Sequence, residues 1–155
     1  MDVFSYEPID LERPAFQLLH LLQGEGLVIE CMLYQGYLSS SDKIPYEALS
    51  YTWGSPERTF TIILNGKTLS ITNNLYLALQ YLRLTDEDRV IWVDAVCINQ
   101  ENIRERGHQV KQMCRIYSEV EEVIIWLGPG TYETDVFMES PRRLEEHCFV
   151  HNHND

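Results

Sequence analysis

The 155-residue chain has no Walker-type phosphate loop, no Gly-x-Gly-x-x-Gly run and no Gly-x-Ser-x-Gly elbow. Their absence removes the usual sequence grounds for a P-loop nucleotidase, a Rossmann dinucleotide enzyme or an α/β-hydrolase. Positive charge is scarce too, with 12 Lys and Arg against 24 Asp and Glu, a formal charge of −12. Binding to nucleic acid or an anionic membrane is driven by Lys and Arg, so neither is an expected partner. Cysteine is sparse and scattered at Cys31, Cys97, Cys114 and Cys148, with no Cys-x-x-Cys pair. A chain this long needs no disulfide staples, which predicts a reducing, cytoplasmic setting. Uninterrupted apolar runs are missing as well. His20, Gln23-Gly24-Glu25-Gly26 and Glu30 break the stretch from Ala15 to Leu38, so it is not read as a membrane span. The acidic segment from Met1 to Pro14 has the wrong charge for a signal peptide.

What remains is ordinary globular material, 45% hydrophobic and 23% charged, enough for one domain. Residues 15–140 form that domain in this reading, after an N-terminal segment 1–14 and before a loose tail 141–155. Phe16–Leu22 and Leu27–Tyr34 flank a short Gly-containing loop and predict an antiparallel hairpin. Ser39 to Asp42 reads as a loop, and Tyr46–Tyr51 as a strand. Phe60–Leu64 and Lys67–Ile71 flank Asn65-Gly66, the pair a type I′ turn favours. Thr72 or Asn73 can cap a helix carrying Leu75, Ala78, Leu79 and Leu82. Val90–Val93 and Val123–Leu127 are continuous apolar runs, as in parallel strands covered on both faces. Between them, Gln100–Ser118 predicts a helix with Ile103, Val110, Met113, Cys114 and Tyr117 inward. Gly107 falls on that same side, which implies close packing or a kink there. Beyond Thr131, Phe137-Met138 and Leu144 suggest a partial helix interrupted by Pro141. The fold class is α/β, a parallel core flanked by helices with added antiparallel hairpins.

In such sheets ligands bind beyond the carboxyl ends of the strands. Three segments fall there: Ser50-Tyr51-Thr52-Trp53-Gly54, Asp94 to Gln100, and Trp126 to Gly130. Glu101, Arg104, Glu105, Arg106 and Gln109 follow on the next helix. Aromatic walls, carboxylates, an amide pair and arginine together suit a polar ligand containing rings, such as a nucleotide. Each residue also has a plainer reading. Trp53, Trp92 and Trp126 suit a core, Asp94 a turn, Asn99-Gln100 a helix start, and Glu105 with Arg106 surface ion pairs worth well under ~1 kcal/mol. Cys97 between Val96 and Ile98 reads as core rather than as a nucleophile paired with His108. His147, Cys148, His151 and His153 in the tail read as adventitious metal affinity, so no metal site is assigned.

Tyr46 to Gly54 resembles the opening block of the fungal heterokaryon-incompatibility (HET) domain, and Ile91 to Glu101 resembles its central block. The likeness continues through Glu105 to Val110, Met113 and Ile116-Tyr117, and closes at Val123 and Trp126-Leu127-Gly128. The resemblance implies a protein of fungal non-self recognition that triggers programmed cell death. It acts there by self-association or with another incompatibility protein, including one of NLR type. HET domains have been regarded as distant relatives of the TIR fold, a flavodoxin-like sandwich that supports assembly and NAD cleavage. Leu49-Ser50-Tyr51 resembles a TIR first strand, and Arg106-Gly107 followed by Val110 resembles its Arg-Gly loop. Glu133, Glu139, Glu145 and Glu146 give no clean match to the TIR glutamate. The resemblance thus implies NAD as substrate or ligand, with no required cofactor. Glu105 is then the catalytic candidate and Asp94 the reserve, as the carboxylate that stabilises positive charge on ribose. Ser50, Tyr51, Trp53, Gly54, Asn99, Gln100 and Arg106 are the binding candidates. A non-catalytic interaction module and a regulatory decoy are the alternatives. Most HET proteins are longer, so the resemblance implies a short member or an isolated domain.

Overall fold

The computed structural model describes residues 2–38, 44–51, 54–126 and 136–139, the last by backbone only. The elements are β1 (Ala15–Leu21), β2 (Glu30–Tyr37), β3 (Glu47–Tyr51), β4 (Phe60–Leu64), β5 (Lys67–Ile71), α1 (Asn73–Leu82), β6 (Arg89–Trp92), α2 (Asp94–Cys97), α3 (Ile103–Ser118), β7 (Glu122–Trp126) and β8 (Val136–Glu139). The described strands form one mixed sheet in the order β5-β4-β2-β1-β6-β3-β7-β8.

Sixth in that order, β3 lies parallel to both β6 and β7, as the apolar runs predict. The added strands are mostly antiparallel, but β4 runs parallel to β2. Ala48 and Trp92 are lateral neighbours, as are Tyr51 and Trp126. Side chains alternate along a strand, so Ala48 and Tyr51 point to opposite faces. Trp92 meets Tyr117 of α3 at a ring distance of 5.4 Å, and Trp126 meets Tyr81 of α1 at 5.3 Å. Helices α1 and α3 therefore cover opposite faces. Both tryptophans are buried and belong to the core. Arg89 fixes the middle of this arrangement. Its guanidinium grips the Glu47 carboxylate at 2.9 and 3.1 Å and donates to the Leu82 carbonyl at 3.0 Å, joining β6, β3 and the end of α1.

The Asn65-Gly66 turn has the positive φ angles expected, 52° and 76°. The Asn65 amide oxygen also accepts from the Leu33 N–H at 2.8 Å, docking the turn on β2. Thr72 is the cap of α1, its hydroxyl accepting from the Leu75 N–H at 3.3 Å.

Five expectations need correction. The second strand of the first hairpin starts at Glu30, leaving Leu27 and Val28 exposed. Their carbonyls are taken by the Tyr76 hydroxyl and the Arg83 guanidinium, so neither pairs in the ladder. The segment Phe137-Met138 is a strand, not a helix. It pairs with the outer edge of β7, whose backbone groups need partners. The helix read from Gln100 begins at Ile103 under an Asn102 cap, with α2 as a separate turn before it. Its inward side differs in part, since Met113 and Tyr117 do pack against the core. Glu105, Gln109, Gln112 and Ile116 are buried, whereas Ile103 and Val110 are 78% and 55% exposed. The Gln109 and Gln112 amides both donate to the Ala15 carbonyl, at 2.8 and 2.9 Å. A buried carbonyl at a strand start must be hydrogen-bonded, and that need turns the glutamines inward. Gly107 faces open space, since a Cβ there would meet nothing within 4 Å. Close packing is not its reason. The Ser39–Asp42 loop and the tail with its His and Cys residues lie outside the described residues.

Candidate ligand-binding crevice

A crevice of about 780 Å³ opens beyond the carboxyl end of β3, within the size range of small-molecule sites. Its wall includes Tyr51 from β3, Thr72 and Leu75 from the start of α1, and Asn99 and Gln100 after α2. Asn102 and Arg104 bring the start of α3 to the same space, with Glu101 beside them. Arg58, from the segment between β3 and β4, and Val3 to Tyr6 complete it. Two helix N-termini thus converge with two arginines. Each helix N-terminus carries a partial positive charge, and Glu101 stands on the same wall.

Local chemistry follows from burial. Burial first, then the neighbouring Asp94 charge, push the Tyr51 phenol up to about 12, against the Thr72 hydroxyl and Arg58. The phenol therefore stays protonated at neutral pH. Asp94 is itself held above the usual carboxylate range by burial, which its own and the Ala95 N–H only partly offset. The Asp94 carbonyl accepts from the Gln100 side-chain amide at 3.0 Å, fixing that side chain against α2. Tyr6 is raised by burial, with Arg58 acting in the opposite direction. Arg58 therefore lies within electrostatic reach of both phenols.

Of the residues singled out from sequence, Tyr51, Asn99, Gln100, Glu101 and Arg104 meet in this crevice. Asp94 sits next to Tyr51 without contributing to the lining. Ser50 is exposed and, one residue from Tyr51, points to the other face of the sheet. Gly54 holds a left-handed φ of 63°, and a Cβ there would come within 2.6 Å of the Asn74 amide. It makes room for the first turn of α1 and is not on the wall. Arg106 is exposed on α3 away from the lining. Glu105 is buried at 4% exposure, and its carboxylate accepts from the Ile9 N–H at 2.9 Å. Trp53 lies outside the described residues. Cys97 is buried, and burial lifts its thiol to about 12, far from the thiolate a nucleophile needs. Arg58 and the wall from Val3 to Tyr6 carried no motif or periodicity in the sequence. The pair of aromatics Phe4 and Tyr6 within an acidic stretch was the one available signal.

The family model described as heterokaryon incompatibility protein (HET) matches residues 46–155. The chain belongs to the HET family. It is 30% identical over 156 residues to heterokaryon incompatibility protein 6, OR allele, of Neurospora crassa. That match covers 90% of this chain and 23% of the relative, so the chain spans about a quarter of that protein's length. No solved structure matches. The matched part of the HET domain supplies Tyr51, Arg58, Thr72 and the whole 99–104 wall, whereas Val3 to Tyr6 precede it. Among the described residues, no helix is long and apolar enough to cross a membrane.

Proposed function

We propose that this HET domain serves fungal non-self recognition, passing a cell-death signal through a TIR-like unit whose crevice takes an NAD-type nucleotide. The observation that carries the reading is the convergence of Tyr51, Arg58, Arg104, the Asn99-Gln100 amides and two helix N-termini on one 780 Å³ space. The arginines and helix ends suit a pyrophosphate, the phenols suit a ring face, and the amides suit base or ribose edges. The β6-β3-β7 order supports the TIR-like part. The earliest of the three parallel strands lies in the middle, with α1 and α3 on opposite faces. A flavodoxin-like sheet begins in the same way. For cleavage, a carboxylate must face the ribose as nicotinamide leaves. Glu101 is the carboxylate on the lining, with Asp94 behind Tyr51; Glu105 is committed elsewhere.

Calorimetric titration with NAD tests the binding. Arg58→Ala and Arg104→Ala should each weaken it about tenfold or more, as expected when a charge-assisted contact is lost. Nicotinamide release, followed by chromatography, tests the chemistry, and Glu101→Gln should reduce it by about 100-fold or more. Absence of heat with the wild-type protein removes the nucleotide reading. Heat without nicotinamide release removes cleavage alone.

The outer side of α3 favours a second output, self-association. Val110 is exposed there beside the exposed Arg106 and Lys111, and exposed Ile103 stands between this side and the rim of the crevice. A second copy offers the complement: Leu27 and Val28, exposed, with Glu25, Asp86 and Glu87. The Gly24 N–H to Leu84 carbonyl bond and the grip of Arg83 on Gly26 and Val28 hold these residues at one corner. Two different patches meeting head to tail make a heterologous contact, which builds a ring where the rotation closes and a filament where it does not.

A further inference from the structure

Residues 2–9 cross the molecule as an irregular strap with three anchors. Asp2 and Phe4 bond the backbone of Thr68 on β5, at 2.9 and 2.8 Å, extending the sheet edge. The Tyr6 hydroxyl donates to the Val96 carbonyl of α2 at 2.7 Å, and the Phe4 ring stands edge-on to it at 5.0 Å. The Ile9 N–H donates to the Glu105 carboxylate at 2.9 Å. Between the first and last anchors, Val3 to Tyr6 form part of the crevice wall. Glu105 shares its side of α3 with Gln109 and Gln112, four and seven residues on, which hold the Ala15 carbonyl. One polar ladder thus clamps the chain at both ends of the stretch from Ile9 to Ala15.

We infer that Glu105 is a positioning residue, which latches residues 2–9 so that Val3 to Tyr6 stand as a wall of the crevice. The carboxylate reaches the ligand only through the strap. Removing it frees the Ile9 end, and the wall loosens from there. The latch stands on the hydrogen bonds alone, whereas its effect on affinity rests on the nucleotide reading above.

The test is amide hydrogen exchange of residues 2–9, with NAD calorimetry in parallel, on the full chain. Glu105→Ala should speed exchange of the Phe4 and Ile9 N–H groups, the strap amides that donate hydrogen bonds, about tenfold, the fold-change for losing one hydrogen bond to a charged group. Glu105→Gln keeps an acceptor oxygen and should restore most of the protection. Ile9→Pro removes the donor and leaves α3 intact, so it should behave like Glu105→Ala. Unchanged exchange of Phe4 in Ile9→Pro overturns the latch, even where Glu105→Ala unfolds. Glu105→Gln exchanging as fast as the alanine variant overturns it as well. If the exchange pattern holds and wild-type protein takes up no NAD, the latch stands and the nucleotide reading falls.

Discussion

Asp94 combines a strand end, a helical turn and a half-buried carboxyl, and its pKa shift makes a testable demand on stability. Its pKa in the folded protein is raised by burial, so the folded chain holds this proton more tightly than the unfolded chain does. The stabilisation is complete below the ordinary carboxylate pKa and is lost as pH rises through the raised value. Stability should therefore fall with pH across that window, and Asp94→Asn should flatten the dependence and gain stability at neutral pH. Urea midpoints measured from acid to neutral pH check this; equal slopes in the two proteins would refute it. Tyr51 was legible as a site residue because the end of an apolar run marks the carboxyl edge of a strand. Arg58 was not, since a residue in an irregular segment has no period to place it.

At the scale of elements, α3 separates what periodicity can and cannot tell. Spacing of 3.6 residues groups Ile103 with Val110, and Glu105 with Gln109 and Gln112. It does not say which group faces inward when each is short and mixed. Hydrogen-bond demand decides, because the Ala15 carbonyl and the Ile9 N–H are met only from the polar side. Ile116, on the buried side, should cost about 2–5 kcal/mol when cut to Ala. Ile103→Ser should change stability by no more than about 0.5 kcal/mol. Chemical denaturation of the two variants separates them; a large loss at Ile103 would return that side to the core. The β4–β5 hairpin is the opposite case, since Asn65-Gly66 dictates its turn through the φ angles alone.

For the whole molecule, the charge is −12, yet among the described residues α3 carries four exposed cations, Arg104, Arg106, Lys111 and Arg115, of which Arg106 and Lys111 flank Val110. Association through the Val110 side should be strongest at low salt and weaken as screening increases. Arg106→Glu with Lys111→Glu should abolish it, and adding Glu25→Lys with Glu87→Lys should restore it. Sedimentation velocity over a range of concentration and salt checks this, and a wild-type monomer at every condition would rule it out.

By itself the sequence determined the family, the acidic balance, the parallel strands from Tyr46, Val90 and Val123, the cap region of α1 and the tight turn. These depend on neighbours within a few residues, where local sterics and periodicity are decisive. Tertiary structure alone decided the strand order, the inward side of α3, the strap from Asp2 to Ile9 and the partner of Glu105. That partner lies 96 residues away along the chain. A buried polar group takes whichever complementary group the fold brings beside it, and no local pattern records which one that is.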